Sequence, residues 1–369
     1  MGLAMHGSEA LFAAALIDGR VLVSGYGRDG LASKHDIQLW PEQSARAVAF
    51  SPGSQLLLVG SADAELAHVD VATGAAVQRL SAAHEHPITC AEVVGEEGLV
   101  AVGDEGGCVR LWDPRDPGRR PARSWEPHAD YVSDLTWSAA RASLLSVSGD
   151  GRLARMDPRL GKVQERSEED VDDELLSVAV VKQGRKIVCG TTTGVVNIWS
   201  WGYWNDCSDR LTGHPESTEA IVKLDEDTIV TGSSDGMLRV CSVQPNRLLG
   251  VLGAHADYPI EHLALSGDGA VLASASHDQT VKLWDLEAEG EGEAEEAEGK
   301  EASEEAHEEA NAGAGAAQPA DDAPSSDSDD SDSDDDRRPQ RKGKRRGKKE
   351  KTAGQPKGKR RNTFFDGLT

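Results

Sequence analysis

The chain has 369 residues, of which 28% are charged and only 4% aromatic, and a formal net charge of −25. That length holds one large domain or two ordinary ones, and no apolar run approaches the roughly 20 residues that a membrane helix needs. The five cysteines (Cys90, Cys108, Cys189, Cys207 and Cys241) form no CxxC and no paired zinc spacing, which argues for reduced thiols and a cytosolic or nuclear compartment.

In chain order, LFAAALI (residues 11–17) has the apolar core of a signal peptide, but no basic residue precedes it and it runs into Asp18-Gly19, a turn signal. A buried strand is expected there. LIDGRVLVSG, which starts at 16, is also the weakest of seven copies of one template: a strand end, a tight turn and an alternating strand. The others are SADAELAHVD at 61, DEGGCVRLWD at 104, SGDGRLARMD at 148, TTTGVVNIWS at 191, SSDGMLRVCS at 233 and SHDQTVKLWD at 276. The turn position falls on Asp18, Asp63, Gly106, Asp150, Thr193, Asp235 and Asp278, at spacings of 45, 43, 44, 43, 42 and 43 residues. An apolar run precedes the later copies at 47, 88, 132, 175, 220 and 260. Short strands at such a period predict an all-β fold, a seven-bladed WD-repeat β-propeller over residues 1–286.

His84, His128, His214 and His255 precede blades, as that pattern expects. In the last blade His255, Asp278 and Trp284 can form a buried network that pins the tight turn. Only this blade keeps the full set by position, because Gly106 and Thr193 replace the Asp, while Val69, Met156 and Cys241 replace the Trp. The first blade can begin with its innermost strand almost at Met1. After Leu286 the run EAEGEGEAEE loses all alternation, so the last blade is predicted to have three strands and an open edge that the acidic run guards.

Catalytic signatures are absent. GDEGG (103–107) lacks the lysine and following helix of a phosphate loop, and neither GxSxG nor HExxH occurs. Two imidazoles in HEH (84–86) fix no metal geometry, and His6 and His35 read as surface residues. The expectation is a protein that is not an enzyme and carries no cofactor, with function argued from sites on the scaffold.

Several segments could be such sites. Trp112, Asp113 and Arg115 in WDPR resemble the WDxR box of substrate receptors for cullin-4 ubiquitin ligases, whose Asp and Arg meet the ligase's adaptor. Arginine offers a planar donor fork suited to an acidic or carbonyl-rich rim. SEEDVDDE (167–174) is an acidic loop, read as a solvated face or a seat for a basic partner. In WSWGYWNDCSDR (199–210), Trp199 is expected in the core, while Trp201, Tyr203 and Trp204 either form an aromatic patch for a partner or pack over the blade edge.

Past the propeller the composition breaks into blocks. Residues 287–336 carry one Lys and 21 acidic residues and are expected to be a disordered acidic tract. Within it Ser326, Ser331 and Ser333 each stand three residues before an Asp, a pattern favoured by acidophilic kinases. Residues 337–361 carry 14 basic residues and one Glu. Arg337, Arg338, Arg341, Lys342, Lys344, Arg345, Arg346, Lys348 and Lys349 read as a nuclear or nucleolar signal. The same block could touch RNA phosphates without sequence preference, since no aromatics are interleaved to stack bases. Residues 362–369, NTFFDGLT, set Phe364, Phe365 and Leu368 in a tail otherwise almost devoid of large apolar side chains, as a partner-binding motif would.

Residues 234–285, together with QPNRLLG (244–250), SDR (208–210), ARAVAF (45–50) and FFDGL (364–368), resemble the WD repeat-containing protein 55 family. The resemblance covers nearly all of 1–286 and the terminal motif but not the acidic block. It implies a nuclear or nucleolar scaffold without catalytic residues, tied to ribosomal RNA production and large-subunit assembly. The partners would be pre-ribosomal proteins, the scaffold acting as a monomer within complexes and touching no membrane. Plant members also resemble cullin-4 receptors, which gives a second reading through WDPR. A chaperone for basic nuclear proteins, acting through the acidic tract, is a third.

Overall fold

The computed structural model describes residues 2–286, apart from 28–29, 52, 54, 96–97, 117–119 and 169–172. Among the described residues, twenty-seven strands form seven antiparallel sheets, six of four strands and a last one of three. Each sheet is one blade, and its strands follow chain order from the centre outward. The first strands are Gly2–Met5, Ala45–Phe50, Ile88–Val94, Val132–Ser138, Leu175–Val181, Thr218–Lys223 and Ile260–Leu265. Each packs on the next, and Gly2–Met5 packs on Ile260–Leu265, so the seven close a ring. The apolar runs found by period are these innermost strands of blades two to seven.

The second strands are buried on both faces: Leu99–Asp104, Ser143–Ser148 and Lys186–Thr191 are buried along nearly their whole lengths. The core is therefore a series of layers between blades. Between blades two and three, for example, Leu58 and Leu66 meet Ile88, Val100 and Trp112. Fourth strands such as Gly30–Gln38 face solvent and are polar.

The innermost strands of blades two to seven each carry a β-bulge at their second residue: Arg46, Thr89, Ser133, Leu176, Glu219 and Glu261. A bulge turns its side chain out of the ladder, where it can reach the neighbouring blade. Thr89 Oγ1 donates to the carbonyl of Val132 at 2.6 Å, Ser133 Oγ donates to the carbonyl of Leu175, and Ser177 Oγ donates to that of Thr218 at 3.2 Å. These three hydroxyls, two at bulges and Ser177 one residue past the bulge of its blade, link blades three, four, five and six in succession. Inside the ring the first strands line a cavity of about 670 Å³.

The turn Asp repeats because it closes an Asx turn between second and third strands. Asp150, Asp235 and Asp278 each accept the backbone N–H two residues on, at 3.0, 3.0 and 2.9 Å. Among the described residues the last blade has strands Ile260–Leu265, Val271–Ser276 and Val281–Asp285, and the acidic run expected to guard its edge lies outside them. His6 departs from expectation. It is buried against Phe50, with ring centroids 5.1 Å apart, and its Nδ1 accepts the N–H groups of Ser8 and Glu9. His35 also has a partner, the Val71 carbonyl at 3.1 Å.

Candidate functional site

The His–Asp pins lie on the face that carries the turns between second and third strands. In the last blade His255 Nδ1 meets Asp278 Oδ2 at 2.8 Å and its Nε2 meets Ser274 Oγ at 2.7 Å. Trp284 Nε1–H donates to the same Ser274 oxygen at 2.8 Å. The predicted trio is therefore a quartet with a buried hydroxyl at its hub.

Blade three corrects the positional template. Gly106 holds the turn position, yet Asp104, two residues earlier, takes the role. Its Oδ2 meets His84 Nδ1 at 2.8 Å and its Oδ1 accepts the N–H groups of Gly106 and Cys108. With Trp112 tilted beside His84, centroids 6.4 Å apart, this blade also holds the His, Asp and Trp set. The hydroxyl is missing, because Val102 stands where Ser274 stands in blade seven, each one residue before the strand's small residue. His84 Nε2 and Trp112 Nε1 are accordingly buried without a hydrogen-bond partner. Cys108 Sγ lies with one ligand atom each of His84 and Asp104 inside 4.8 Å, beside the hydrogen bond from His84 Nδ1 to Asp104 Oδ2. In blade five the pin comes from the opposite side of the contact: Asp173 accepts from Thr192 Oγ1 and Thr193 Oγ1 at 2.6 and 2.5 Å. In blade six Asp235 turns to Arg239, and His214 Nε2 pairs with Thr231 Oγ1 at 2.8 Å.

The opposite face carries the loops between first and second and between third and fourth strands, and here the WDPR box lies. Trp112 is a core residue, 3% exposed. Asp113 Oδ1 accepts the N–H of Arg115 at 3.0 Å, a local turn that fixes where the arginine leaves the backbone. Arg115 is exposed, with its guanidinium over Gly98 in its own blade; a Cβ on Gly98 would lie 2.6 Å from it.

Two blades on, the aromatic segment occupies the same kind of loop. Trp199 is in the core and Trp204 is 8% exposed, against the possibility of an open patch of three rings. Trp201 meets Trp204 edge-on at 5.3 Å, and the guanidinium groups of Arg141 and Arg155 stand 5.3 and 5.5 Å from the Trp201 ring. These cations cover the indole with the attraction that π faces hold for positive charge. Tyr203 alone of the three is displayed, 75% exposed. The third strand of blade seven also ends on this face. The phosphoacceptor serines, the basic signal and Phe364, Phe365 and Leu368 lie outside the described residues.

Sequence reasoning missed two carboxylates in the central cavity, Glu92 and Asp134, whose signal was a charge inside an apolar inner strand. Burial pushes Glu92 up to about 8 and Asp134 up to about 7, against N–H groups that favour the ionised forms. For Asp134 these come from Val178, at 2.9 Å to Oδ2, and Leu135, at 2.8 Å to Oδ1. An unfolded Asp titrates near ~3.9, so between that value and about 7 the folded chain holds the proton more tightly than the unfolded one. This contribution is fully present below the unfolded value and is lost as pH rises through the folded one. In urea titrations from pH 5 to 8 the wild type should therefore lose more stability than Asp134→Asn, which keeps an acceptor for Val178 and cannot ionise. Parallel curves for the two proteins would remove Asp134 as the source.

The chain matches the WDR55 family over residues 1–288. WD repeat-containing protein 55 of Arabidopsis thaliana is 41% identical over 287 residues, covering 78% of this chain and 80% of its own. The Mus musculus protein of that name is 38% identical over 289 residues, covering 77% and 73%. WD repeat-containing protein JIP5 of Cryptococcus neoformans var. neoformans is 34% identical over 297 residues, covering 77% and 79%. Among solved structures, a chain from the crystal structure of the Mitotic Checkpoint Complex superimposes with a TM-score of 0.67 over 77% of this chain and 86% of that one. At 16% identity that likeness concerns the fold alone.

Proposed function

The chain belongs to the WDR55 family, and from that premise we propose that it is a non-enzymatic nucleolar scaffold that supports ribosomal RNA production and assembly of the large ribosomal subunit. The observation that carries this reading is the extent of the family likeness, which spans all seven blades. The basic block from Arg337 to Arg361 agrees with it, as an address to the nucleus and as a source of phosphate contacts.

A second reading, as receptor of a cullin-4 ligase, is favoured by one specific feature: Arg115 is exposed and its backbone is held by Asp113. The two readings are compatible, because a scaffold can also be read by a ligase.

One experiment addresses both. Tagged wild type and Arg115→Ala are recovered from nuclear extract, and the co-purifying proteins and RNA are quantified. Wild type should bring down large-subunit precursor proteins and precursor ribosomal RNA, and the variant should retain them. A wild type that enriches neither would end the scaffold reading. The variant should lose the ligase adaptor tenfold or more, about 1.4 kcal/mol or beyond, as loss of a charged anchor at an interface does. It should melt with the wild type, since the side chain is exposed. Equal adaptor recovery would remove the receptor reading and leave the first untouched.

A further inference from the structure

The loops of blades four and five run against the charge of the propeller. Residues 1–286 hold 24 basic and 41 acidic residues. On the face that carries Arg115 these two blades place four loops, 139–142, 157–162, 182–185 and 201–208, with five basic residues and two acidic ones. Both acids are engaged: Asp157 pairs with Arg159, and Asp206 accepts the N–H of Cys207 at 2.7 Å. Lys182 is likewise paired, with Asp227 of blade six. Arg141 and Arg185 are exposed and have no ion pair among the described residues.

Both guanidinium groups are held from behind. Arg141 Nε–H donates to the Gly184 carbonyl at 2.8 Å, and Arg185 Nε–H donates to that of Lys182 at 2.9 Å. With Nε anchored, the Nη pair of each fork remains for two parallel bonds to a carboxylate. The forks border one indole. The Arg141 guanidinium stands 5.3 Å from the Trp201 ring, and the Arg185 carbonyl accepts the Trp201 N–H at 2.9 Å. Gly184 lies between them, where a Cβ would fall 3.2 Å from Arg141 Cγ. Tyr203 follows two residues after Trp201, its N–H tied to the Ser200 carbonyl at 2.9 Å, so its exposed ring is displayed from a closed turn.

We infer that this surface docks an acidic segment of a partner protein, with carboxylates on the Arg141 and Arg185 forks and an apolar side chain on the Tyr203 ring. Arginine and tyrosine are residue types that anchor interfaces. Charge selects the class of partner. After internal pairing the sector offers few free cations, which a few carboxylates balance. A nucleic acid brings a charge with every nucleotide and is bound along a longer basic track, whereas the next loop on this face holds Asp225, Glu226 and Asp227. The inference depends on neither the ribosomal nor the ligase reading.

Photo-crosslinking of the intact chain tests it, with a labelled peptide of Asp-Glu pairs separated by leucines, one leucine carrying a diazirine. Adducts should map to residues 199–210 and 139–142. Arg141→Gln and Arg185→Gln should each weaken binding tenfold or more, and Tyr203→Ala severalfold. Arg141→Lys should recover little of the loss, because a point charge lacks the fork. All three side chains are exposed, so the variants should fold as the wild type does, which circular dichroism checks. Adducts confined to the basic block 337–361, or equal affinities across the variants, would overturn the inference. Oligouridine captured at 199–210 more tightly than the peptide, and released by the same substitutions, would make this an RNA surface and overturn it too.

Discussion

Gly190→Val should destabilise the propeller by about 3 kcal/mol, the upper part of the range for overpacking a tight site. Gly190 lies on the second strand of blade five, where a Cβ would fall 2.4 Å from the Thr218 carbonyl oxygen and 2.5 Å from Ser177 Oγ. The first of these is backbone of the next blade and cannot rotate away. The site belongs to a series of ladder-equivalent positions: Ala15, Gly60, Gly103, Val147, Gly190, Gly232 and Ala275, paired with Val21, Leu66, Val109, Leu153, Val196, Leu238 and Val281. All but Val147 are Gly or Ala, since blades wedge together here. At Gly60, Gly103 and Gly232 a Cβ would crowd Ile88, Val132 and Ile260. Valine would favour the strand by its own propensity, so sterics and propensity oppose each other, and a contact at 2.4 Å decides for sterics. Urea unfolding followed by circular dichroism measures the outcome, with an unchanged slope if only native stability moves. A loss under ~1 kcal/mol would mean that blades five and six can part without cost.

The second large effect concerns Ser274. With His255 Nδ1 donating to the Asp278 carboxylate, Nε2 is the acceptor, so the hydroxyl donates to it and accepts from the Trp284 indole. Ser274→Ala strands two buried nitrogens at once. Each unsatisfied group costs about 1–3 kcal/mol, so a loss of roughly 2–4 kcal/mol is expected. Blade three gives the reciprocal arm of the same measurement. Val102→Thr keeps the shape and adds a hydroxyl between His84 Nε2 and Trp112 Nε1, which lack partners. It should stabilise the chain by about 1 kcal/mol or more. Losses from both substitutions would show that packing, not the hydroxyl, governs these blades.

The period alone placed every innermost strand of blades two to seven, because an interior strand must be apolar and the repeats keep one length. That the described part of blade seven ends after three strands was equally legible, since Glu and Gly at alternate positions after Leu286 offer nothing to bury. The hub hydroxyls were not legible. Ser146, which meets His128 Nε2 at 2.7 Å, Thr231 and Ser274 sit inside buried second strands, and a hydroxyl there reads as any strand residue until its partners are placed. Asp104 was missed because a carboxylate can close the turn from two residues upstream with its second oxygen still free for the histidine. On the opposite face the letters of WDPR located the rim, whereas the burial of Trp204 depended on Trp201 and on arginines contributed by another blade.

The hydroxyl links from Thr89, Ser133 and Ser177 give the ring a mechanical asymmetry. They run in one direction, each from a blade to its successor, and stop at blade six. Arg46, Glu219 and Glu261, at the bulges of blades two, six and seven, have no hydroxyl to offer. Blades three to six are thereby riveted into an arc, and the remaining joints are fastened by other groups, such as the Arg46–Glu105 ion pair between blades two and three and the bond from the Trp40 indole to Glu65 between blades one and two. A hoop with unequal fastenings yields at its weakest clasp, so transient openings should begin on the side of blades seven, one and two. Blade seven, which has three strands among the described residues, stands on that yielding side, which makes it the hinge plate of the ring.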